Sequence, residues 1–245
     1  MKRKSFALIP LLIVLAMLGN ALAQKDKKWT DWNKSDVQKM LNDSPWAKVQ
    51  TDTDTSEQMF SPANNPQMSG RTQSTDNQRL TQGSTNQATN VTYYVRFFSA
   101  RPIRQALARN IELSQTGMPA DAVTRLHSFA EVKSADSIIV TVTYKGNDQR
   151  AVNPVMQAFN SAITATLKNN TYLQRPDGKQ LFLEEYVPPG KDGFGARFIF
   201  LRTMDGKPFI DKDMKEIRFF TQFGNIKVDR RFKIGDMMYE GELEY

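Results

Sequence analysis

Cysteine is absent from the 245 residues, and histidine occurs once, as His127. Without cysteine there is no thiol nucleophile, no disulfide and no cysteine-based zinc site, and one histidine cannot make a two-histidine zinc site within a single chain. No G-x-S-x-G turn accompanies that histidine, so a serine triad of the hydrolase type has no carrier. Carboxylate pairs and Ser-Lys mechanisms leave no sequence signature and stay open. Beyond the N-terminus no apolar run approaches the roughly 20 residues needed to cross a bilayer. No metal or cofactor is expected.

One charge sign does not dominate either. The chain has 33 basic and 26 acidic residues, a formal charge of +7. Three of the basic residues, Lys2, Arg3 and Lys4, lie in the first 23 positions with no acid beside them. The remainder therefore carries 30 basic against 26 acidic residues, or +4. That is ordinary for a soluble protein, and nucleic acid is not an expected partner.

Those first 23 residues read as a secretory signal. A basic start leads into an apolar run over residues 6–19, interrupted by Pro10, and Ala21-Leu22-Ala23 fits a small-residue cleavage site before Gln24. The run is short for an anchor. No cysteine follows the cleavage site for lipid attachment, and no Arg-Arg pair marks a twin-arginine signal. The expectation is export by the general secretory route to the periplasm or the medium. An exported chain with no disulfides must rely on its core.

Four segments follow, with 1–23 as the leader. Residues 24–50 form an arm holding all three tryptophans, Trp29, Trp32 and Trp46. Ser35 with Gln38 fits a capping box for a short helix, and Ser44-Pro45 suggests a second helix start before Trp46. Two readings of the tryptophans stand: they pin the arm to the main domain, or they form an exposed docking patch for an envelope or extracellular partner. Residues 51–90, rich in Thr, Ser, Asn and Gln, read as a disordered linker with too little apolar surface to order itself. Met59-Phe60 is its one notable apolar pair. Asp52-Thr53-Asp54 hints at a cation site but lacks the glycine and closing glutamate of a calcium loop, so it is assigned to solvated linker.

Residues 91–245 read as the domain. Val91, Tyr93, Val95 and Phe97 alternate like a half-buried strand. Arg101-Pro102 opens a helix with Ile103, Ala106, Leu107 and Ile111 on one side, and Pro119 opens another with Val123, Leu126 and Ala130 inward. The run 138–144 is a β-branched strand. Asn153-Pro154 reads as a helix start continued by Val155, Phe159, Ile163 and Leu167. From residue 171 onward, strands over 180–187, 196–202, 216–223, 226–234 and 237–243 are separated by turn signals at Pro176-Asp177-Gly178, Asp205-Gly206, Gly224-Asn225 and Gly235-Asp236. Helices early and strands late predict an α+β domain, with helices packed on one face of a mainly antiparallel sheet, preceded by a short helical arm and a disordered linker.

Candidate chemistry is sparse. Ser99, Arg101 and Arg104 sit where the first strand meets a helix start, so exposed amides and two guanidinium groups there can hold a carboxylate or phosphate; solvated or internally bridged arginines are the competing reading. Gly190-Lys191-Asp192-Gly193 lacks the Ser or Thr of a phosphate loop, and Gly193–Phe198 has Asp192 and Ala196 in the wrong places for an RNA-binding strand; both read as hairpin loop. His127 reads as structural. The N-linked acceptor pattern at Asn33, Asn42, Asn90 and Asn169 matters only in a eukaryotic pathway.

The run Trp29…Trp32…Ser35-Asp36-Val37…Leu41-Asn42-Asp43-Ser44-Pro45-Trp46-Ala47, followed after a polar stretch by Phe97-Phe98-Ser99-Ala100-Arg101-Pro102-Ile103-Arg104-Gln105-Ala106, resembles a group of secreted bacterial proteins without assigned activity. The resemblance covers about a quarter of the chain. It implies a bacterial exported protein and carries over no mechanism. The leading expectation is a non-enzymatic binding or interaction module of the bacterial envelope. The alternatives are an envelope hydrolase, with Glu184 and Glu185 as the first carboxylates to inspect, and a structural subunit pairing through an edge strand.

Overall fold

The structure, a computed structural model, describes residues 27–54, 88–132 and 137–245. The leader, Met59-Phe60 and the central part of the expected linker lie outside them. The arm comprises a 3-10 turn over Trp29–Asp31, helix α1 (Lys34–Asn42) and strand β1 (Ala47–Asp54). Then come β2 (Thr89–Phe97), α2 (Arg101–Ser114), α3 (Ala120–Glu131), β3 (Ser137–Gly146), α4 (Gln149–Ser161) and the short α5 (Thr164–Leu167). The second half contributes β4 (Thr171–Gln174), β5 (Gln180–Phe182), β6 (Glu185–Val187), β7 (Ala196–Leu201), β8 (Thr203–Met204) and β9 (Lys207–Pro208). It closes with β10 (Glu216–Phe223), β11 (Ile226–Lys233), β12 (Met238–Tyr239) and β13 (Glu242–Leu243).

The α+β class holds, but the strands make two principal sheets rather than one. The first runs β1-β2-β3-β7-β6 and the second β11-β10-β4-β5, and every strand pair among the described residues is antiparallel. Both sheets have an apolar face, and each face needs cover. Val91, Tyr93, Val95 and Phe97 of β2 meet the second sheet, whose Ile217, Phe219, Val228 and Phe232 are equally buried. Rings cross between the layers edge to face, Phe97 on Phe232 at 4.8 Å and Phe198 on Phe219 at 5.3 Å.

The run 180–187 splits between the sheets. Leu183 donates its amide to Thr171 in the second sheet, and Glu184 donates to Ile199 in the first. The chain therefore turns a corner at these two residues, and one side of the sandwich is continuous backbone. On the opposite side β1 lies along β11.

The α4 residue Phe159 stacks on Phe223 at 4.5 Å, and the Tyr186 hydroxyl donates to its carbonyl at 2.5 Å. Asp148 caps α4 by accepting from the Arg150 amide at 2.8 Å, so this helix starts before Asn153-Pro154 and Pro154 lies inside it. Aspartate is as strong a cap as asparagine, and the apolar side of the helix begins earlier than the proline. The helix also ends at Ser161 rather than running to Leu167, which leaves Ile163 exposed.

The arm departs from expectation in three places. The capping box of α1 is Asn33 with Asp36, each side chain bonded to the other's backbone amide at 3.0 Å, not Ser35 with Gln38. An aspartate at that position also complements the helix dipole. Ser44-Pro45 starts no helix: Ser44 and Ala47 pair through their backbones at 3.2 Å and turn the chain into β1. Finally, residues 51–54 and 89–90 of the expected linker are strand, with 51–54 paired to 89–92 from Thr51↔Thr92 to Asp54↔Thr89. A ladder satisfies this polar backbone without needing apolar side chains. Among the described residues no helix is long and apolar enough to cross a membrane.

Candidate functional site

The three tryptophans are buried. Trp29 packs edge-on against His127 at 4.8 Å and donates its indole N–H to Glu131 at 2.8 Å. The Trp32 carbonyl accepts from Arg109 at 2.9 Å, and the Trp46 indole donates to the Glu244 carbonyl at 2.8 Å. All three join the same apolar core as the sheets. Rings turned inward with their N–H groups satisfied offer no aromatic docking patch.

The strand-to-helix site assembles as an anion site whose anion is internal. The Glu244 carboxylate accepts from the Arg101 amide at 3.0 Å, at the start of α2, and ion-pairs with the Arg101 guanidinium at 3.2 Å. Glu240 takes the other side of Arg101 at 2.8 Å. Ser99 extends the β2–β3 ladder, its hydroxyl accepting from the Ile139 amide at 3.0 Å. Arg104 is buried and bonded to the Ser99 and Val132 carbonyls; burial lowers its pKa, partly offset by Glu244. Arg101 thereby ties the start of α2 to the β12–β13 hairpin, Arg104 ties α2 to the end of α3, and Ser99 ties β2 to β3.

The other sequence candidates are likewise absorbed. His127 meets Glu112 at 2.5 Å through Nε2. The glycine-rich stretch is the loop between β6 and β7, in which Asp192 accepts from the Phe194 amide and pairs with Arg197. Glu184 and Glu185 are exposed. On the outer face of the second sheet Phe182, Tyr172 and Phe220 form a row across three strands, with Tyr172 stacked on Phe220 at 5.0 Å and Arg218 and Lys227 over Phe220. The faces of that stack cover one another, so it braces the sheet.

What remains is a cleft of about 450 Å³ between the paired strands β1 and β2, α4 and the start of β11. Val91, Ala151, Pro154, Val155 and Ile226 make the apolar part of its lining. Asp52, Thr53 and Asp54 line it from β1, Thr89 from β2 and Arg150 from α4. Strand pairing places Asp52 opposite Val91 and Asp54 opposite Thr89. Residues two apart on a strand share a face, so both carboxylates join Gln50, opposite Tyr93, on the side of β1 turned toward the cleft.

Tyr93 is the distinctive member. The residue is 2% exposed and lines the cleft. Burial, with the nearby Asp52 carboxylate, pushes its pKa up to about 12, so at neutral pH it is an uncharged hydroxyl able to donate and accept. Among the described residues no group of three or more His, Asp or Glu side chains could hold a metal ion.

The alternation Asp52-Thr53-Asp54 was the one sequence signal pointing here, but it falls in polar sequence that reads as linker. Tyr93 is indistinguishable in sequence from its neighbours Val91 and Val95 on a buried face. No family model, curated protein or solved structure matches this chain.

Proposed function

We propose that this is an exported bacterial protein that binds a ligand without transforming it, and that the cleft beside Tyr93 is its binding site. The leader-like first 23 residues and the resemblance to secreted bacterial proteins support export. The observation that carries the binding reading is the cleft itself, where Tyr93 meets the apolar residues Val91, Ala151, Pro154, Val155 and Ile226. An apolar pocket with a few convergent polar groups is the usual form of a small-molecule site.

Thermal melts of the purified protein across a library of small organic molecules test this, with Ala151→Phe as the control that fills the cleft. A ligand present at a hundredfold excess over its dissociation constant stabilises the folded state by about 2.7 kcal/mol. For a chain of this size that is a rise of about 5–10 °C in Tm. The rise is expected in the wild type and lost in Ala151→Phe. Ligands that stabilise both forms equally would show that binding lies elsewhere. Export is tested separately by fractionating cells that make the tagged chain, with Gln24 expected as the N-terminus of the exported form.

A further inference from the structure

The second sheet turns one face away from the core, and the side chains on it fall into ordered rows. We propose that this outer face is a docking surface for an acidic polysaccharide, separate from the cleft beside Tyr93.

Strand pairing sets the layout. Phe182 lies opposite Tyr172 and Tyr172 opposite Phe220, which makes a row of rings across β5, β4 and β10. Two residues along, Gln180 lies opposite Gln174, Gln174 opposite Arg218 and Arg218 opposite Arg231. That is a second row, of amide and guanidinium groups, over all four strands. Alternation puts Lys227 and Lys233 on the same side of β11 as Arg231. None of these residues is buried, whereas Leu173, Leu181, Phe219, Val228 and Phe232 between them point into the core.

Charge and shape select the partner. The outward positions carry four cations, Arg218, Lys227, Arg231 and Lys233, against two carboxylates, Glu216 and Asp229. Arg218 and Arg231 occupy the carboxylates, and Lys227 stands 3.9 Å from Asp229, so the surplus is positive and favours an anion. Planar amides and guanidinium groups present several donors in fixed directions, and an amide adds an acceptor, which suits the hydroxyls and carboxylates of a sugar acid. Phe182, 45% exposed at the end of its row, offers a ring to the C–H side of a sugar. A nucleic acid needs open ring faces for its bases, and Tyr172 and Phe220 cover each other. A protein partner or a lipid surface needs an apolar centre, and Phe182 is the one large apolar side chain on this face more than a third exposed.

Three polymers separate the possibilities: polygalacturonate, an acidic glycan; pullulan, a neutral one; and polyglutamate, a carboxylate chain without sugars. Each is titrated calorimetrically into the purified protein at neutral pH and one salt concentration. Polygalacturonate is expected to bind about tenfold more tightly than either of the others. Phe182→Ala should weaken it about fivefold and Lys233→Gln about threefold, with melting temperatures within a few degrees of the wild type. Lys191→Gln removes the same charge from the β6–β7 loop, and Ala151→Phe fills the cleft; both should leave the affinity unchanged. Polyglutamate or pullulan binding as tightly as polygalacturonate overturns the proposal, as does no binding of polygalacturonate at millimolar sugar concentration. An affinity that survives both Phe182→Ala and Lys233→Gln overturns it, and one lost in Ala151→Phe places the polymer in the cleft instead. Phosphatidylglycerol vesicles binding where polygalacturonate does not would assign the face to a membrane and overturn it as well.

Discussion

Gln50 and Asp229 are 179 positions apart in sequence, and the side-chain amide of one completes the backbone of the other. The Asp229 amide donates to Gln50 Oε1 at 2.9 Å, and Gln50 Nε2 donates to the Lys227 carbonyl at 2.6 Å. A primary amide has the same donor and acceptor as a peptide group, so Gln50 pairs with β11 as a neighbouring strand would. The edge of the first sheet is thereby joined to the edge of the second, opposite the corner at Leu183 and Glu184.

Gln50→Ala should lower stability by about 1–2 kcal/mol, because a half-buried amide and carbonyl of β11 lose their partners. Urea unfolding reads this as a lower midpoint with little change in slope. A midpoint equal to that of the wild type would mean that water replaces the side chain at no cost.

Glu244 fastens the β12–β13 hairpin to the start of α2. Glu244→Gln keeps the shape but removes the charge that faces Arg101 and the helix amides. A loss of about 1–2 kcal/mol is expected at both partners' low exposure. A double-mutant cycle with Arg101→Gln should return a coupling of about 1 kcal/mol; additive losses would show that the pair contributes nothing.

Asp229 makes a two-pronged bond to Arg218 on the outer face of the second sheet, at 2.7 and 2.6 Å. Hydrogen bonding from Arg218 holds the Asp229 carboxyl below the usual carboxylate range, against the opposing effect of partial burial, and Asp229 in turn raises the Arg218 pKa. The folded protein therefore binds this proton more weakly than the unfolded chain. The contribution is full above the unfolded value of about 3.9 and fades as pH falls through the lower folded value. Asp229→Asn should be less stable than wild type by about 1 kcal/mol at neutral pH and converge with it in strong acid. Parallel stability curves down to strong acid would contradict the assignment.

Gly195 and Gly178 make a matched pair of tests. Both have positive φ, +84° and +86°. A Cβ at Gly195 would sit 2.5 Å from the Val142 carbonyl oxygen and 2.5 Å from the Thr143 methyl, whereas one at Gly178 meets nothing within 4 Å. Gly178→Ala should cost about 1–2 kcal/mol, the conformational term alone. Gly195→Ala should cost clearly more, since backbone must move; equal losses in thermal melts would show that the β6–β7 loop yields freely.

Much of the fold was legible because it is local. The alternation in β2, β3, β10 and β11, the Gly224-Asn225 turn and the apolar stripe of α2 each repeat with the period of their own backbone. The errors lie where two local signals competed. Asn33 and Ser35 both fit a cap for α1, and Asp148 outranked Asn153-Pro154 for α4. Polar residues 51–54 became strand because they had a partner strand, which their own composition does not encode.

The candidate site was not legible for a different reason. It takes Asp52 from β1, Tyr93 from β2, Arg150 from α4 and Ile226 from β11, and no spacing rule links those four positions.

By itself the sequence determined the absence of thiol chemistry, a leader-like start, the α+β class and which side of each strand is apolar. Tertiary structure decided which apolar face met which. It split 180–187 between two sheets, turned the tryptophans inward, and supplied Glu244 as the anion that Arg101 receives at the start of α2. Periodicity states that a face must be covered; only the packed chain, with every buried donor and acceptor competing for a partner, settles what covers it.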